Sequence, residues 1–408
     1  MIDKPVHPIR VGFLIDGGNS TYGVFEYTKL LLTYIDRSQV TPVGIFFGKG
    51  DGVVSLGPLC REKIILGDKC LLPLSDPNRS KLDPLIMCSK VLTANLGIIR
   101  LVNVLRSRAI EVVDVNFYPY HILAGIACRI ALRPCVWHWH GVATRMGVSA
   151  YLQEWGMRNL ADAIPCISNF VRQSLPDSVQ QKSCIIYNGV DVDRISQFQE
   201  PGMLKKNLGI PDDVKVVAIF GSISPLKGQE YFIRAASQVV KTFPNTAFVI
   251  VGHENETMRV RIGLTAKLNN LVAELGLKRH VLFAGYLPDA WKYMSDCDVV
   301  CLSTTPMGKV VGEGFGLVVA EAMAAGVAVV ASSCGAITEI IKDGESGLLV
   351  PPADADTLAK SICKLLADEK FRRSIAREGQ ARVQSCFDIH NTTRGMEQVY
   401  RNLVTRGV

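Results

Sequence analysis

Short apolar runs rich in β-branched residues recur along the chain, and amphipathic stretches separate many of them. The first runs have the length and composition of buried strands. Helical patterns over residues 24–36, 96–108 and 123–132 lie between some of these runs. Alternation of this kind predicts a parallel sheet with helices on both faces. The predicted strands of this first set cover residues 9–16, 41–48, 112–118, 135–140, 163–168 and 183–189.

A second set of the same alternation begins after a polar segment that carries glycine and proline. By composition, residues 196–211 of that segment form a linker. The sequence therefore predicts an α/β fold of two Rossmann-like domains, residues 1–195 and 212–391, which face one another across a cleft. In such sheets ligands bind at the carboxyl ends of the strands. The predicted strands of the second set cover residues 214–223, 246–253, 280–287, 297–304, 327–333 and 346–352.

The composition is that of a globular protein. The 408 residues are too many for one ordinary core, and 48% of them are hydrophobic while 20% are charged. The polar start predicts no cleavable signal peptide, and no apolar run reaches the length of about 18 residues that a membrane span needs. The 12 scattered cysteines contain no CxxC pair, which favours reduced thiols and a cytoplasmic location.

The net charge of +7 is spread along the chain, with 21 basic and 17 acidic side chains in residues 1–200 and 24 and 21 in the rest. Because there is no basic tail, we expect no nucleic-acid partner. A local excess lies between Lys90 and Arg145, where seven basic residues stand against Glu111 and Asp114. This stretch predicts either a surface for an anionic partner or an ordinary solvated face.

The helical pattern over residues 96–108 lies within this basic stretch and has two sides. Such a helix suits a peripheral contact with an anionic membrane and a lipid-linked acceptor. The plainer alternative is a helix packed on the sheet with a solvated basic edge. The polar side is predicted to hold Arg100, Asn103 and Ser107, and the buried stripe Leu96, Ile99, Val102 and Leu105.

The stretch from Gly312 to Gly326 carries the clearest candidate chemistry. Glycines at 314 and 316 let the backbone approach a ligand closely, and a helix is predicted to begin at about Leu317. The start of a helix binds phosphate well. Glu313 and Glu321 stand on either side, at most about 12 Å apart along a helix. This layout matches a nucleoside diphosphate sugar, with a phosphate group between two hydroxyl-rich rings. For either carboxylate alone, an ordinary helix residue is the plainer interpretation.

The sequence "EGFGLVVAE", continued by "EAMAAGVAVVAS", resembles the Glu-x(7)-Glu motif of the retaining glycosyltransferases of family 4, which have the GT-B fold. The resemblance covers most of the chain and is strongest from Tyr187 to Asp356. Four further segments resemble motifs of the same family in the same order: "VWHWHG", "IIYNGVD", "GSISPLKG" and "CGAITEIIKDGESGLLVPPAD".

The resemblance implies a donor site made mainly from the second domain. Glu313 should contact the transferred sugar, Glu321 the ribose hydroxyls, and Lys227 the diphosphate. The backbone amides of Phe315, Gly316 and Leu317 should cradle sugar and phosphate. Gly17 and Gly18 should face the diphosphate from the first domain.

Ser222 and His140 complete the implied site. The family usually has an arginine at the diphosphate where this chain has Ser222, and the candidates for the missing charge are Lys309 and Arg145. His140 corresponds to the active-site histidine and should orient the sugar. His138 and His140 would point to the same side of a strand. A metal site is not expected, because no third ligand accompanies them.

The function implied is that of a retaining hexosyltransferase. It would move a sugar from a nucleoside diphosphate sugar to a glycan or lipid-linked acceptor, without a metal ion or a cofactor. The resemblance also implies that a C-terminal helix, at about residues 392–408, packs back on the first domain. Two alternatives remain open: a nucleotide-sugar epimerase, which shares the fold, and a non-catalytic partner subunit built on a transferase fold.

Overall fold

The computed structural model describes residues 7–18, 23–67, 84–142, 147–254, 263–306 and 312–405. The chain forms two compact units. Unit 1 comprises Met1–Gly189 together with Ile389–Val408, and unit 2 comprises Val190–Asp388.

Unit 1 is built on a parallel sheet. Its strands are β1 (Ile9–Asp16), β2 (Val40–Phe47), β3 (Glu62–Ile65), β4 (Val112–Val115), β5 (Cys135–Trp137), β6 (Ile164–Cys166) and β7 (Ser183–Ile185). In the described part of unit 1, five strands form a sheet in the order β3-β2-β1-β4-β5, and β6 pairs with β7. Isolated bridges from Val136 to Ala163 and from Trp139 to Cys166 continue the sheet from β5 to β6.

The helices of unit 1 cover both faces of this sheet, so its central strands are buried. Phe13 and Leu14 of β1 point to opposite faces and both are fully buried, as expected for a strand with helices above and below. The helices are α1 (Gly23–Tyr34), α2 (Asp51–Leu56), α3 (Pro84–Ser107), α4 (His121–Ala131), α5 (Gly147–Asn159) and α6 (Asn169–Gln173), with α15 (Ile389–Thr405) added from the end of the chain.

Unit 2 repeats the design, with six strands in its sheet. Its strands are β8 (Lys215–Phe220), β9 (Thr246–Val251), β10 (Val281–Gly285), β11 (Val299–Leu302), β12 (Ala328–Ser332) and β13 (Leu348–Val350). They form one parallel sheet in the order β10-β9-β8-β11-β12-β13, the strand order of a Rossmann fold. Its helices are α7 (Val192–Gln197), α8 (Met203–Leu208), α9 (Gln229–Thr242), α10 (Leu264–Glu274), α11 (Leu317–Ala324), α12 (Ile337–Ile340), α13 (Ala355–Ala367) and α14 (Glu369–Cys386).

The predicted fold class, an α/β chain with two Rossmann-like domains, is confirmed. Every run predicted to be a strand contains one. The hydrophobic pattern missed β3, whose residues alternate between half-buried and exposed at the edge of the sheet. A short edge strand of this kind lacks the continuous apolar run that identified the others.

The segment over residues 196–211, which composition favoured as a linker, belongs to unit 2 in the structure. The chain passes from unit 1 to unit 2 at Gly189–Val190. The carboxylate of Asp296 accepts hydrogen bonds from the backbone amides of Leu204, at 2.7 Å, and Lys205, at 3.3 Å. This side chain fixes the start of α8. Because the anchoring residue lies far along the chain, composition alone made the polar segment look like a linker.

The C-terminal helix α15 packs within unit 1 and begins at Ile389, three residues before the predicted start. Tyr400 is fully buried, and its ring meets that of Phe13 edge-on at 6.2 Å. The carboxylate of Glu397 accepts a hydrogen bond of 2.8 Å from the backbone amide of Asp36. The last helix is therefore part of the core of unit 1.

The prediction for the apolar stripe of α3 is partly wrong. Val102 and Leu105 are buried, but Leu96 and Ile99 are 49% and 57% exposed. Neighbouring positions take their place in the core, since Ile98 and Leu101 are buried. The apolar residues of this helix extend over more than one face. Periodicity alone therefore predicted a stripe that is rotated about the helix axis relative to the buried one.

Candidate active site

The candidate site in unit 2 lies where the strand order reverses. β9 and β10 lie beyond β8 on one side, and β12 and β13 lie beyond β11 on the other. Doubly wound sheets bind ligands outside the carboxyl ends of their strands at such a point. β8 leads into the loop over residues 221–228 and β11 leads toward α11. Both predicted donor segments therefore start from this edge of the sheet.

Lys227 and Glu313 form an ion pair at this edge. Nζ of Lys227 lies 2.6 Å from Oε1 of Glu313, and the two side chains are only 21% and 13% exposed. The hydroxyl of Thr304 donates a hydrogen bond of 2.9 Å to the same carboxylate oxygen. Partial burial strengthens charge interactions relative to water. The sequence predicted the two charged residues from separate motifs, and the structure brings them into contact.

A glycine turn fixes Lys227 to the end of β11. Gly228 has φ +67°, and a Cβ at this position would lie 1.9 Å from the carbonyl oxygen of Ser303. The hydroxyl of Ser303 donates a hydrogen bond of 2.8 Å to the carbonyl of Gly228. The hydroxyl of Thr305 donates one of 3.0 Å to the carbonyl of Pro225. The turn that carries the ammonium group is thus held by the strand end beside it.

Backbone contacts hold Glu313 from the opposite side. Glu313 forms a parallel bridge with Gly335, which follows β12, and its carbonyl accepts a hydrogen bond of 2.9 Å from the amide of Ala336. Gly335 has φ +64°, and a Cβ there would lie 2.3 Å from the carbonyl oxygen of Glu313. The position of the carboxylate therefore depends on a close approach of two loops that only glycine permits.

The start of α11 offers backbone groups beside this ion pair. Gly316 precedes the helix with φ +102°. The side chain of Phe315 is buried and packs against Phe387, with ring centroids 5.7 Å apart. The first N–H groups of a helix lack intrahelical acceptors and carry partial positive charge. Leu317 opens the helix, and Glu321 is half-buried in its second turn.

Ser222 stands in the loop after β8, where the family usually has arginine. It is half-buried, and its carbonyl accepts a hydrogen bond of 3.1 Å from the side-chain amide of Gln229. Lys309 and Arg145, the candidates for a compensating charge, lie outside the described residues. Among the residues that the structure does describe, Lys227 is the cation paired with Glu313.

Gly17 and Gly18 follow β1 in unit 1 and have different environments. The amide of Gly17 donates a hydrogen bond of 2.7 Å to the carbonyl of Phe47, and a Cβ at Gly17 would lie 2.5 Å from the carbonyl oxygen of Gly48. Gly18 is exposed, and its amide donates to Asp16 at 2.9 Å. Gly17 therefore has a packing role, and Gly18 is the member of the pair that a ligand can reach.

A chain of buried hydrogen bonds links His140 to the C-terminal helix. The hydroxyl of Tyr400 on α15 donates to the carboxylate of Asp114. The other oxygen of Asp114 accepts from the side-chain amide nitrogen of Asn116 at 3.0 Å. The amide oxygen of Asn116 lies 3.2 Å from Nε2 of His140. Because that oxygen can only accept, Nε2 carries the proton and Nδ1 keeps a lone pair for a ligand hydroxyl.

His138 and His140 stack on one another, with ring centroids 4.4 Å apart, as expected for side chains on the same side. Burial lowers the pKa of both far below its ordinary value of 6.5, and the neighbouring His121 lowers both further. Both rings are therefore neutral at pH 7. The described part of the chain contains no group of three His, Cys, Asp or Glu side chains that could hold a metal ion.

We expect these buried histidines to make unit 1 sensitive to acid. Burial lowers the pKa of His121 from 6.5 to about 4, so the unfolded chain binds a proton between these values that the folded chain does not. The contribution of neutral His121 to the free energy of unfolding is therefore full above pH 6.5 and is lost as pH falls toward 4. Asp114, whose pKa burial raises to about 7, acts in the opposite direction over this range. Burial also raises the pKa of Glu397, in the same direction as that of Asp114. Because burial lowers the pKa of all three histidines, we expect the thermal unfolding midpoint to fall between pH 6.5 and pH 4.

The matched variant is His121→Gln, which removes the titrating group and keeps a donor for the carbonyl of Val115, to which Nε2 lies at 3.0 Å. The slope of the midpoint against pH should be shallower in this variant than in the wild type. Equal slopes would show that His121 is not held neutral by the fold.

Sequence reasoning missed several residues of this network. Asp114 and Asn116 lie at the end of β4, beside the strand that leads to His140. Polar residues at the carboxyl end of an otherwise apolar strand were a usable signal for them. Tyr400 could not be found in this way, because it is 286 positions from Asp114 in the sequence.

The two strand orders define a chain of two Rossmann-like units, the GT-B architecture. Two family models match it: Glycosyltransferase Family 4 over residues 74–194 and Glycosyl transferases group 1 over residues 203–382. Over 296 residues the chain is 30% identical to the phosphatidyl-myo-inositol mannosyltransferase of Mycobacterium tuberculosis. The aligned region covers 70% of this chain and 72% of that protein. The chain belongs to the group 1 glycosyltransferases.

Two further proteins are similar to this chain. An uncharacterised glycosyltransferase of Methanocaldococcus jannaschii is 30% identical over 233 residues, a match that spans only 56% of each protein. Anabaena HepE, whose crystal structure is in complex with UDP, has a TM-score of 0.79 and 21% identity, covering 97% of this chain and 100% of that chain. At this identity the structural match shows that the fold is shared.

Proposed function

We propose that this chain transfers a glycosyl group from a nucleoside diphosphate sugar to a hydroxyl of an acceptor, with retention of the anomeric configuration. The observation that carries the proposal is the ion pair between Lys227 and Glu313 at 2.6 Å, beside the start of α11. A partly buried ammonium beside the start of a helix is suited to a diphosphate. A carboxylate at the same place is suited to the hydroxyls of the attached sugar.

In the proposed reaction the bond between the anomeric carbon and the diphosphate oxygen breaks. Lys227 and the amides at the start of α11 stabilise the negative charge that develops on the departing diphosphate. The acceptor oxygen forms the new bond on the same face of the sugar, and its proton passes to a departing phosphate oxygen. Retention then needs no protein nucleophile. His140, with its Nδ1 lone pair, orients a hydroxyl of the substrate.

The proposed reaction is independent of metal ions, because Lys227 and the helix start supply the charge stabilisation. The test uses the purified full-length chain with UDP-glucose and GDP-mannose in buffer containing EDTA. The expected result is release of nucleoside diphosphate and, when an acceptor hydroxyl is supplied, formation of a glycoside with the anomeric configuration of the donor. Loss of turnover in EDTA that magnesium or manganese restores would contradict metal independence.

The same assay separates the two alternatives. Epimerised nucleotide sugar without acceptor would indicate an epimerase. Absence of both donor turnover and donor binding would favour a non-catalytic partner subunit. A product with inverted configuration would exclude retention while leaving the transferase function intact.

The acceptor class and the membrane contact stay predictions. None of the helices within the described ranges is long and apolar enough to cross a bilayer. The exposed Leu96 and Ile99 lie on α3 close to Arg100, which supports a peripheral contact with anionic lipid. Sedimentation with anionic and neutral liposomes at low salt is the measurement for it, and equal, negligible pelleting with both would exclude the contact.

A further inference from the structure

Three consecutive hydroxyl residues, Ser303, Thr304 and Thr305, follow β11, and all three are buried. The outer two and the middle one have different partners. The hydroxyls of Ser303 and Thr305 bond to backbone carbonyls of the turn that carries Lys227. The hydroxyl of Thr304 bonds to the carboxylate of Glu313. The middle residue therefore acts on the acidic side chain of the site and not on the turn.

Both donors that reach the Glu313 carboxylate from the described residues bind the same oxygen, Oε1. Nζ of Lys227 lies at 2.6 Å from it, and the hydroxyl of Thr304 donates to it at 2.9 Å. A carboxylate oxygen offers two lone pairs, so these two donors fill Oε1. The side chain of Glu313 is 13% exposed, and the lone pairs of Oε2 can accept hydrogen bonds from the hydroxyl groups of a ligand. The two oxygens therefore have different tasks.

Lys227 alone does not fix the plane of this carboxylate. Rotation about the last bond of a glutamate side chain is broad and nearly two-fold, so Oε1 and Oε2 can exchange places. The ammonium group of a lysine carries three rotatable donors on a flexible stem, so it can follow either oxygen. A second donor at a fixed place removes this freedom, because only one orientation of the carboxylate keeps both contacts.

Thr304 is a donor that is fixed in this way. Its side chain is β-branched and therefore stiff at χ1, and the residue is fully buried. Its carbonyl accepts a weak hydrogen bond of 3.6 Å from Sγ of Cys334. The amide of the next residue, Thr305, donates a hydrogen bond of 2.9 Å to the carbonyl of Leu226. The hydroxyl of Thr304 therefore extends from a backbone that is held by two neighbouring loops.

We propose that Thr304 is a positioning residue of the donor site: its hydroxyl sets the plane of the Glu313 carboxylate, so that Oε2 accepts hydrogen bonds from the transferred sugar. The proposal rests on the transferase function for the identity of this ligand, and it gives Thr304 no contact with the substrate. Because the hydroxyl bonds to Glu313 and not to the turn of Lys227, its removal should weaken recognition of the sugar and leave recognition of the nucleotide intact.

The test measures the affinity of the full-length chain for UDP-glucose and GDP-mannose, and for UDP and GDP alone, by titration calorimetry. Thr304→Val keeps the shape of the side chain and removes the hydroxyl. The nucleotide sugar that the wild type binds more tightly should bind about tenfold more weakly to this variant, the effect of one hydrogen bond to a charged group. The affinity for the corresponding nucleotide should be unchanged. Thr304→Ser keeps the hydroxyl and should restore the affinity for the nucleotide sugar.

Thr246→Val is the matched control. Thr246 is 2% exposed and is the first residue of β9, at the end of the sheet opposite to the site. Its hydroxyl has no hydrogen-bond partner within the described ranges. The same substitution there removes a buried hydroxyl without touching Glu313, so the affinities for nucleotide and nucleotide sugar should both match those of the wild type.

The outcomes separate this inference from the proposed function. Four results would overturn the inference: a wild type that binds neither nucleotide sugar, an equal loss of both affinities in Thr304→Val, no loss in that variant, or a Thr304→Ser variant as weak as Thr304→Val. Sugar transfer by the wild type would in each case leave the transferase function standing. A loss confined to the nucleotide sugar, in a protein that transfers no sugar, would support the role of Thr304 and count against the transferase function. If Thr304→Val fails to fold, Thr304→Ala takes its place.

Discussion

Replacing Lys227 with alanine is expected to lower the rate of sugar transfer about 100-fold or more, which corresponds to about 2.7 kcal/mol of transition-state stabilisation. The turn at Gly228 fixes the position of Lys227, whose side chain is 21% exposed. It can therefore act on the departing diphosphate without first being ordered. Glu313→Gln should have a similar effect, because it keeps the shape of the side chain while removing the charge that holds Lys227. The measurement is kcat/KM for the donor under EDTA.

The matched control is Lys342→Ala. Lys342 also pairs with a glutamate in unit 2, Glu345 at 3.2 Å, but these side chains are 56% and 59% exposed. Such surface pairs contribute about 0–1 kcal/mol, so activity and unfolding midpoint should stay close to those of the wild type. Near-normal turnover in folded Lys227→Ala would remove this lysine from the proposed mechanism.

Gly228→Ala is expected to be the most destabilising single change in the donor loop, costing about 3 kcal/mol or more. The added Cβ would meet the carbonyl oxygen of Ser303 at 1.9 Å, which is backbone and cannot turn aside. The left-handed conformation adds strain of about 1–2 kcal/mol. The unfolding midpoint of the variant should fall by about 6–12 °C, given about 2–4 °C per kcal/mol for a domain of this size.

Gly209→Ala separates the steric clash from the backbone strain. Gly209 has φ 66° and ψ 29°, nearly the same as 67° and 29° at Gly228, but a Cβ there meets no atom within 4 Å. It should therefore cost only the conformational strain. If the two variants lose the same stability, the close approach of Gly228 to Ser303 does not constrain the loop, and transfer activity in Gly228→Ala should then be retained as well.

The architecture and the two residues Lys227 and Glu313 were accessible from the sequence for different reasons. The alternation of apolar runs repeats in each half, so a parallel sheet with covered faces followed from local pattern. Each residue was predicted because it lies in a motif that resembles a known family. Their contact joins residues 86 positions apart, and it was seen only in the structure.

The errors have physical causes that local sequence does not reveal. Residues 196–211 are polar, yet Asp296 anchors α8 through backbone amides far along the chain. In α3 the apolar residues cover more than one face, and only packing decides that Leu101 is buried while Ile99 is exposed. The network beneath His140 depends on Tyr400, which reaches it only in the folded unit.

The place of α15 in the core of unit 1 has a consequence for how the protein is made. All of unit 2, Val190–Asp388, is synthesised before Ile389–Val408. Unit 1 needs this last segment because it supplies Tyr400, which is buried and donates a hydrogen bond to Asp114. Domains usually fold during synthesis in the order in which they leave the ribosome. Here the order should be reversed: the second unit completes its core on the ribosome while the first waits for the last helix. Until then Asp114 lacks its partner Tyr400, and part of the apolar surface of unit 1 is accessible to chaperones.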